Sequence, residues 1–186
     1  MLSELGFRET PAERPAQENL CLQKLQRMSA SPVVSIFLTT PNPNSSLFLT
    51  RLADTIDAKT QVKHAHWNVK GLQFHQLHLL FDDVATHVHD AADLIAEGAV
   101  QLGGVAHGAA RIVAKTSSIP EYDLDAVKGE DHVRALVDRL STLANASREA
   151  IDEADKLADK ATSDIFAEIV RAADKELWFL EAHIQA

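Results

Sequence analysis

The sequence predicts an all-α fold in which four long helices form an antiparallel bundle with one long connection. Two observations carry this prediction. Five of the six prolines lie within the first 45 residues of the 186-residue chain, so the remainder has long segments that lack the strongest helix breaker. In those segments, apolar residues recur with the 3.6-residue period of a helix that buries one face.

The proline-rich segment, residues 1–45, is predicted to be an N-terminal extension that is mostly irregular or disordered. Its apolar stretch, residues 33–38, is expected either to dock on another surface or to form a short strand. The helical domain is predicted to span residues 46–186.

The first two predicted helices differ in how clear their apolar period is. The first, about residues 46–69, is indicated by its length and its lack of breakers, because its apolar stripe is short. The second begins at Leu72 or Gln73, ends at Leu102 and has a long apolar stripe. Gly103 and Gly104 end it.

A long connection follows, in which a short helix is predicted near residues 123–128. The third helix is predicted at about residues 130–157, and the fourth begins after Thr162, the predicted N-cap. Four helices with one long crossover between the second and the third are typical of one class of antiparallel bundle.

The composition favours a protein of a reducing compartment. No apolar run is long enough to cross a bilayer, and the first residues mix both charges without the apolar core of a signal peptide. Cys21 is the only cysteine, so it has no internal partner for a disulfide. We therefore expect a cytoplasmic protein without membrane contact.

The second helix carries a stripe of metal-ligand residue types. At roughly 100° per residue, with His78 at zero, Asp82, Asp93 and Glu97 all fall within roughly 100° of it. The apolar core stripe lies between roughly 220° and 300°. A second ordered face on one helix suggests a contact with another subunit, and the alternative is a solvated polar face.

Spacing along the helix separates these residues into two pairs. His78 and Asp82 are one turn apart, as are Asp93 and Glu97, but Asp82 and Asp93 are roughly 16 Å apart along the axis. Metal–ligand bonds are only about 2 Å long, so the two pairs meet only if the helix packs antiparallel on its own copy. His66 can fold back to join the first pair. Imidazole and carboxylate ligands suit ferrous iron, manganese or zinc.

The residues around this stripe resemble the Dps family (DNA-binding proteins from starved cells). The resemblance rests on the motif His66-Trp67-Asn68 and on Asp93 and Glu97 in the pattern Asp-x-x-x-Glu. It also rests on the run Gln-Leu-Gly-Gly at 101–104 and on the segment 174–183, and it extends over roughly residues 46–185.

The resemblance implies a ferritin-like bundle that assembles through two-fold dimers into a hollow dodecameric cage. It implies a ferroxidase centre across each two-fold, where Fe(II) is oxidised, preferably by hydrogen peroxide, and ferric oxide is stored inside as protection against oxidative damage. By position, His66, His78 and Asp82 match the iron ligands that one subunit of the family contributes. Asp93 and Glu97 match the ligands that the other subunit contributes. Trp67 and Trp178 match tryptophans that lie near the centre.

Two acidic residues, Asp159 and Asp164, match those that line the family's three-fold pore for iron. Lys160 and Ala161 interrupt the acidic run that some members have. The alternative for the two aspartates is favourable charge at a helix N-terminus.

The charge of the chain opposes the DNA binding that the family name implies. The net charge is −9, and the extension has four basic and four acidic residues, so it lacks the cationic tail that would bind phosphates. The alternative function is a DNA-compacting, nucleoid-associated or structural cage in which iron binding is incidental.

Three further features are open. His75 falls on the ligand stripe, as an extra ligand or as an interface residue. His64 is interpreted as a surface residue, and His87 and His89 as solvated or interface residues, with a catalytic role as the alternative. Gly98, within the second helix, suggests a close approach by another chain.

Overall fold

The structure, a computed structural model, describes residues 45–185. Within that range it contains five helices and no strand: α1 Ser45–Asn68, α2 Phe74–Gln101, α3 Ala110–Thr116, α4 Gly129–Lys156 and α5 Lys160–Glu181. The all-α bundle with one long crossover and a short helix inside it is confirmed. Residues 1–44, with the apolar stretch 33–38, lie outside the described residues, so the extension stays a prediction.

Two helix pairs build the bundle. α1 packs along α2, α4 packs along α5, and the pairs meet where α1 contacts α4 and α2 contacts α5. Each pair is joined by a tight turn. Gly71 forms the first turn at φ +112°, which L side chains rarely adopt, and Ala158 lies in the second at φ 56°. The turns bring the end of α1 next to the start of α2, which is where the predicted histidine ligands lie.

The core has two apolar clusters, one towards each end of the bundle. In one of them the rings of Phe48 and Phe166 lie 5.1 Å apart. A Cβ added at Gly98 would lie 2.6 Å from Cε1 of Phe48. The glycine therefore lets the aromatic ring of its own chain approach α2. The expectation that another chain approaches Gly98 is wrong for this reason.

The short helix of the crossover lies earlier than predicted. It is α3, Ala110–Thr116, whereas Leu124 and Asp125 form a turn. In that turn the backbone N–H of Asp125 donates to Oδ1 of Asp123 at 2.9 Å. The aspartate side chain thus replaces the helical hydrogen bond, which is how aspartates favour turns over helices.

A buried carboxylate fixes the crossover to α1. Asp54 is 1 % exposed, and its Oδ1 accepts the backbone N–H of Ser118 at 2.7 Å and the Ser118 hydroxyl at 3.1 Å. The Ser117 hydroxyl donates to the same oxygen at 3.4 Å. The loop after α3 is therefore held against the helix that carries His66.

The last helix begins two residues before the predicted N-cap. The N-cap is Asp159, whose carboxylate accepts the backbone N–H of Thr162 at 3.1 Å and the Thr162 hydroxyl at 2.8 Å. Thr162 is therefore the donor to the cap and not the cap itself. Among the described residues, no helix is both long enough and apolar enough to cross a membrane.

Candidate metal centre

The first half of the predicted centre is a stacked pair of histidines. His66 lies near the end of α1 and His78 near the start of α2, and the turn at Gly71 brings their ring centroids to 3.8 Å. Nδ1 of His66 lies 2.8 Å from the backbone oxygen of His78, and Nδ1 of His78 lies 2.9 Å from that of His66. A carbonyl oxygen only accepts, so each Nδ1 carries the proton. Each Nε2 then keeps its lone pair for a metal.

Asp82 follows His78 by one turn and is paired with a cation. Nζ of Lys63, on α1, lies 2.6 Å from Oδ1 of Asp82. This hydrogen bond is the largest cause that holds the pKa of Asp82 below its usual 3.8; desolvation opposes it, and the positive charge of Lys63 adds to it. The carboxylate is therefore ionised at neutral pH. The sequence alone indicates no role for Lys63, although this residue lies one turn before His66.

The second half of the predicted centre also lies on α2, but it is separated along the helix from His78 and Asp82. Asp93 and Glu97 are both exposed on α2. Among residues 45–185, no three His, Cys, Asp or Glu side chains converge in a way that would hold a metal ion. In one described chain, therefore, His66, His78 and Asp82 do not close on a single point, and the shared centre stays a prediction.

Two open grooves on the α1–α2 surface each contain one of the predicted carboxylate ligands. Lys63, Trp67 and Asp82 line one of them, and Asp93 lines the other. His89 lines both, so it lies on the ridge between them.

Large apolar side chains surround this surface. Trp67 is 69 % exposed, Leu72 fully exposed, Leu79 51 % and Phe74 45 %. Contiguous exposed apolar groups on one side of a protein mark an interaction surface. The α1–α2 face therefore has the character of a protein interface.

The two tryptophans have different surroundings. Trp67 lines the groove of Asp82, and Nζ of Lys63 lies 5.9 Å from its ring centroid. Trp178, near the end of α5, is 64 % exposed and contacts Phe179 with the ring centroids 4.9 Å apart. Within one chain, only Trp67 is thus seen beside a predicted ligand.

The two aspartates of the predicted pore lie at the start of α5. Asp159 is the N-cap of α5. It therefore has the alternative role that the sequence suggested, a negative charge at a helix N-terminus. Asp164 is exposed on the first turns of the helix. Whether they line a pore stays a prediction.

The structure also shows a histidine cluster that sequence analysis missed. His132 is fully buried, and its Nδ1 lies 2.7 Å from the hydroxyl oxygen of Tyr122. Burial lowers the pKa of His132 and raises that of Tyr122. The sequence pattern that could have indicated the burial of His132 is its place on the apolar stripe of α4, one turn before Leu136. His64 is half-buried 5.1 Å from Tyr122, so its interpretation as a surface residue is wrong.

Comparison with known proteins adds an independent result. The family model described as a ferritin-like domain matches residues 47–186. The DNA protection during starvation protein of Agrobacterium fabrum is 46% identical over 134 residues, which are 72% of this chain and 83% of that protein. The chain belongs to the Dps family of ferritin-like proteins.

Solved Dps structures agree with this membership. Dps from Microbacterium arborescens, in its high iron form, superposes with a TM-score of 0.70 at 32% identity and covers 78% of this chain and 97% of that one. Dps from Vibrio cholerae O1, described as a member of a superfamily of ferritin-like diiron-carboxylate proteins, gives 0.73 at 25% identity, with 76% and 89% covered.

Proposed function

We propose that this chain is a cytoplasmic ferroxidase and iron-storage protein. Two copies related by a two-fold axis bind Fe(II) in sites that they share, oxidise it with hydrogen peroxide, and store ferric oxide in a dodecameric cage. The observation that carries the proposal is the stacked pair of His66 and His78, whose two Nε2 atoms are both left free to bind a metal.

The histidine pair supports iron binding because its geometry is fixed before the metal arrives. Metal-binding imidazoles usually donate their other N–H to an acceptor that sets the tautomer. Here each backbone carbonyl plays that part for the other ring. The helices thus supply two oriented nitrogen ligands, whose side chains lose little conformational entropy when a metal ion binds.

Asp82 supplies the third ligand of this half. Its carboxylate is ionised and held by the ammonium of Lys63. An arriving Fe(II) replaces that ammonium as the positive partner. Lys63 is 26 % exposed, so it has a path to solvent.

The carboxylates of a second copy complete the site. Asp93 and Glu97 point outward on the same face of α2, and an antiparallel partner places them opposite His78 and Asp82. Carboxylates stabilise the more highly charged ferric product over the ferrous substrate. Two Fe(II) ions each give up one electron, and one peroxide takes both electrons and two protons to leave two waters.

The experiment that tests this function adds Fe(II) and then peroxide without oxygen and follows ferric absorbance. The variant Asp93→Ala with Glu97→Ala is expected to lose the fast phase, and Asp152→Ala, an exposed aspartate on α4, is the matched control. A native mass of twelve chains is expected for the wild type, the double variant and the control variant. Equal rates for the double variant and the wild type would contradict the proposal.

The alternative, a DNA-compacting or structural cage, stays a prediction. The name of the Agrobacterium relative includes DNA protection, but a net charge of −9 opposes phosphate binding. A gel shift on plasmid DNA at low and moderate salt separates the two functions.

A further inference from the structure

A carboxylate buried inside the bundle has a single hydrogen-bond partner within residues 45–185. Glu176, on α5, is 3 % exposed. Its Oε1 lies 2.8 Å from Nδ1 of His87, on α2. Its Oε2 is buried and has no hydrogen-bond partner among the described residues.

The surroundings of Glu176 favour a positively charged partner. It lines a cavity of about 20 Å³, room for one water, whose walls apart from Glu176 and His87 are apolar and include Leu140, Leu143 and Ile169. An ionised carboxylate in such a place is costly unless a cation compensates it. The imidazole of His87 is the group that reaches it.

His87 connects this buried charge to the surface. Its side chain is 44 % exposed although its Nδ1 faces Glu176. A histidine with one nitrogen on a carboxylate and the other open is the usual arrangement of a metal ligand, because the carboxylate orients the ring and makes it more basic. A metal ion on Nε2 also supplies the charge that the buried carboxylate lacks.

The geometry points to a second metal site in each chain, with His87 Nε2 and Asp83 as its protein ligands and Glu176 as the residue that positions the imidazole. Asp83 is exposed and precedes His87 by one turn on the same helix face. The described residues offer no third His, Cys, Asp or Glu that converges there, so water completes the coordination. One imidazole and one carboxylate suit a first-row divalent cation such as Co(II), Zn(II) or Fe(II).

This site is separate from the proposed ferroxidase centre. His87 lies roughly 180° around α2 from His78, on the side that faces α5 and not on the α1–α2 face. The inference therefore does not depend on iron oxidation. It requires only that the bundle is folded as described.

The test titrates Co(II) into a parent variant that lacks the ligands of both proposed half-sites: His66→Asn, His78→Asn and Asp82→Asn together with Asp93→Ala and Glu97→Ala. We expect one Co(II) per chain, detected by calorimetry and by its visible absorption bands. Adding Asp83→Asn or Glu176→Gln is expected to weaken this binding by about 10- to 100-fold, and adding His87→Ala to abolish it. His107→Ala, an exposed histidine in the crossover, is the control and should change nothing.

Glu176→Gln keeps an oxygen that accepts from His87, so it tests the charge without removing the packing. Thermal unfolding of each variant shows whether it is folded. Absence of Co(II) binding in the parent variant, or unchanged affinity after His87→Ala or Glu176→Gln, overturns the inference. Because the parent lacks Asp93 and Glu97, either result is independent of whether the wild type oxidises iron.

Discussion

His66 and His78 hold each other in place: Nδ1 of each ring bonds to the backbone carbonyl of the other, at 2.8 and 2.9 Å, while the rings stack. The last turn of α1 and the first turns of α2 are thereby joined through the same side chains that are proposed to bind iron. Fixing the ligands and closing the helix hairpin are one interaction, so the site and the fold are coupled at this corner.

Replacing His78 with asparagine should separate metal binding from folding. The asparagine amide still has a donor for the His66 carbonyl, but it lacks the Nε2 ligand. We expect Fe(II) affinity to fall by more than about 10-fold. Losing a residue that only hydrogen-bonds to a metal ligand already costs about that much, and here a ligand itself is lost. The melting temperature should change little. Anaerobic Fe(II) titration with His107→Asn as control measures this, and unchanged affinity would count against His78 as a ligand.

Lys63→Met should strengthen metal binding at neutral pH. The ion no longer has to displace the ammonium from Asp82. Ion pairs between exposed groups are weak, so the gain should be no more than a few-fold. Lys59→Met, one turn earlier in the same groove, is the matched control. Weaker binding in Lys63→Met would show that the lysine helps the metal to bind.

The same variant should also change the titration of Asp82 in the metal-free protein. Lys63 is the main reason that the pKa of Asp82 lies below 3.8. A depressed pKa keeps the carboxylate ionised until the pH falls through that lower value. Without Lys63 the pKa rises, so carboxyl-carbon NMR should show Asp82 taking up its proton at a higher pH in the variant than in the wild type. Coincident titration curves would contradict this.

Gly98→Ala should destabilise the bundle although alanine is the better helix former. The added methyl group would lie 2.6 Å from Phe48, and overpacking of this kind typically costs about 1–3 kcal/mol. The gain in helix propensity is about 1 kcal/mol. Denaturant unfolding should show a net loss, and Phe48→Leu added to Gly98→Ala should recover part of it. Full additivity of the two changes would mean that Phe48 is not the obstacle.

Asp54→Ala should loosen the crossover. It removes the acceptor for the Ser118 backbone N–H and for two serine hydroxyls. Hydrogen bonds to a charged group contribute about 1.5–3 kcal/mol, so a loss of that size is expected on denaturant unfolding. Limited proteolysis should cut within residues 103–128 sooner than in the wild type. An unchanged cleavage pattern would argue against this anchor.

Three of the four long helices could be predicted because their apolar period is a local property of the sequence, and α1 could be predicted because its segment is long and lacks helix breakers. The short helix could not be placed, because Asp123 competes for a backbone N–H within its own turn. The start of α5 was missed for a similar reason, since both Asp159 and Thr162 are residue types that cap helices.

Side chains that join distant segments were harder to foresee. The spacing of His66, His78 and Asp82 suggested one half-site, and the structure places the two histidines in contact and Asp82 one turn on. Glu176 and His132 were missed because sequence patterns treat a charged or polar residue as exposed. Their burial depends on His87 and Tyr122, which lie on other segments.

Mixing two inactive chains tests the shared centre most directly. One chain carries His66→Ala, His78→Ala and Asp82→Ala, and the other carries Asp93→Ala and Glu97→Ala. In a mixed dimer one of the two sites regains all five ligands, so random co-assembly should restore about a quarter of the wild-type ferroxidase rate. Co-assembled particles that oxidise Fe(II) no faster than either parent would contradict a centre built from two chains.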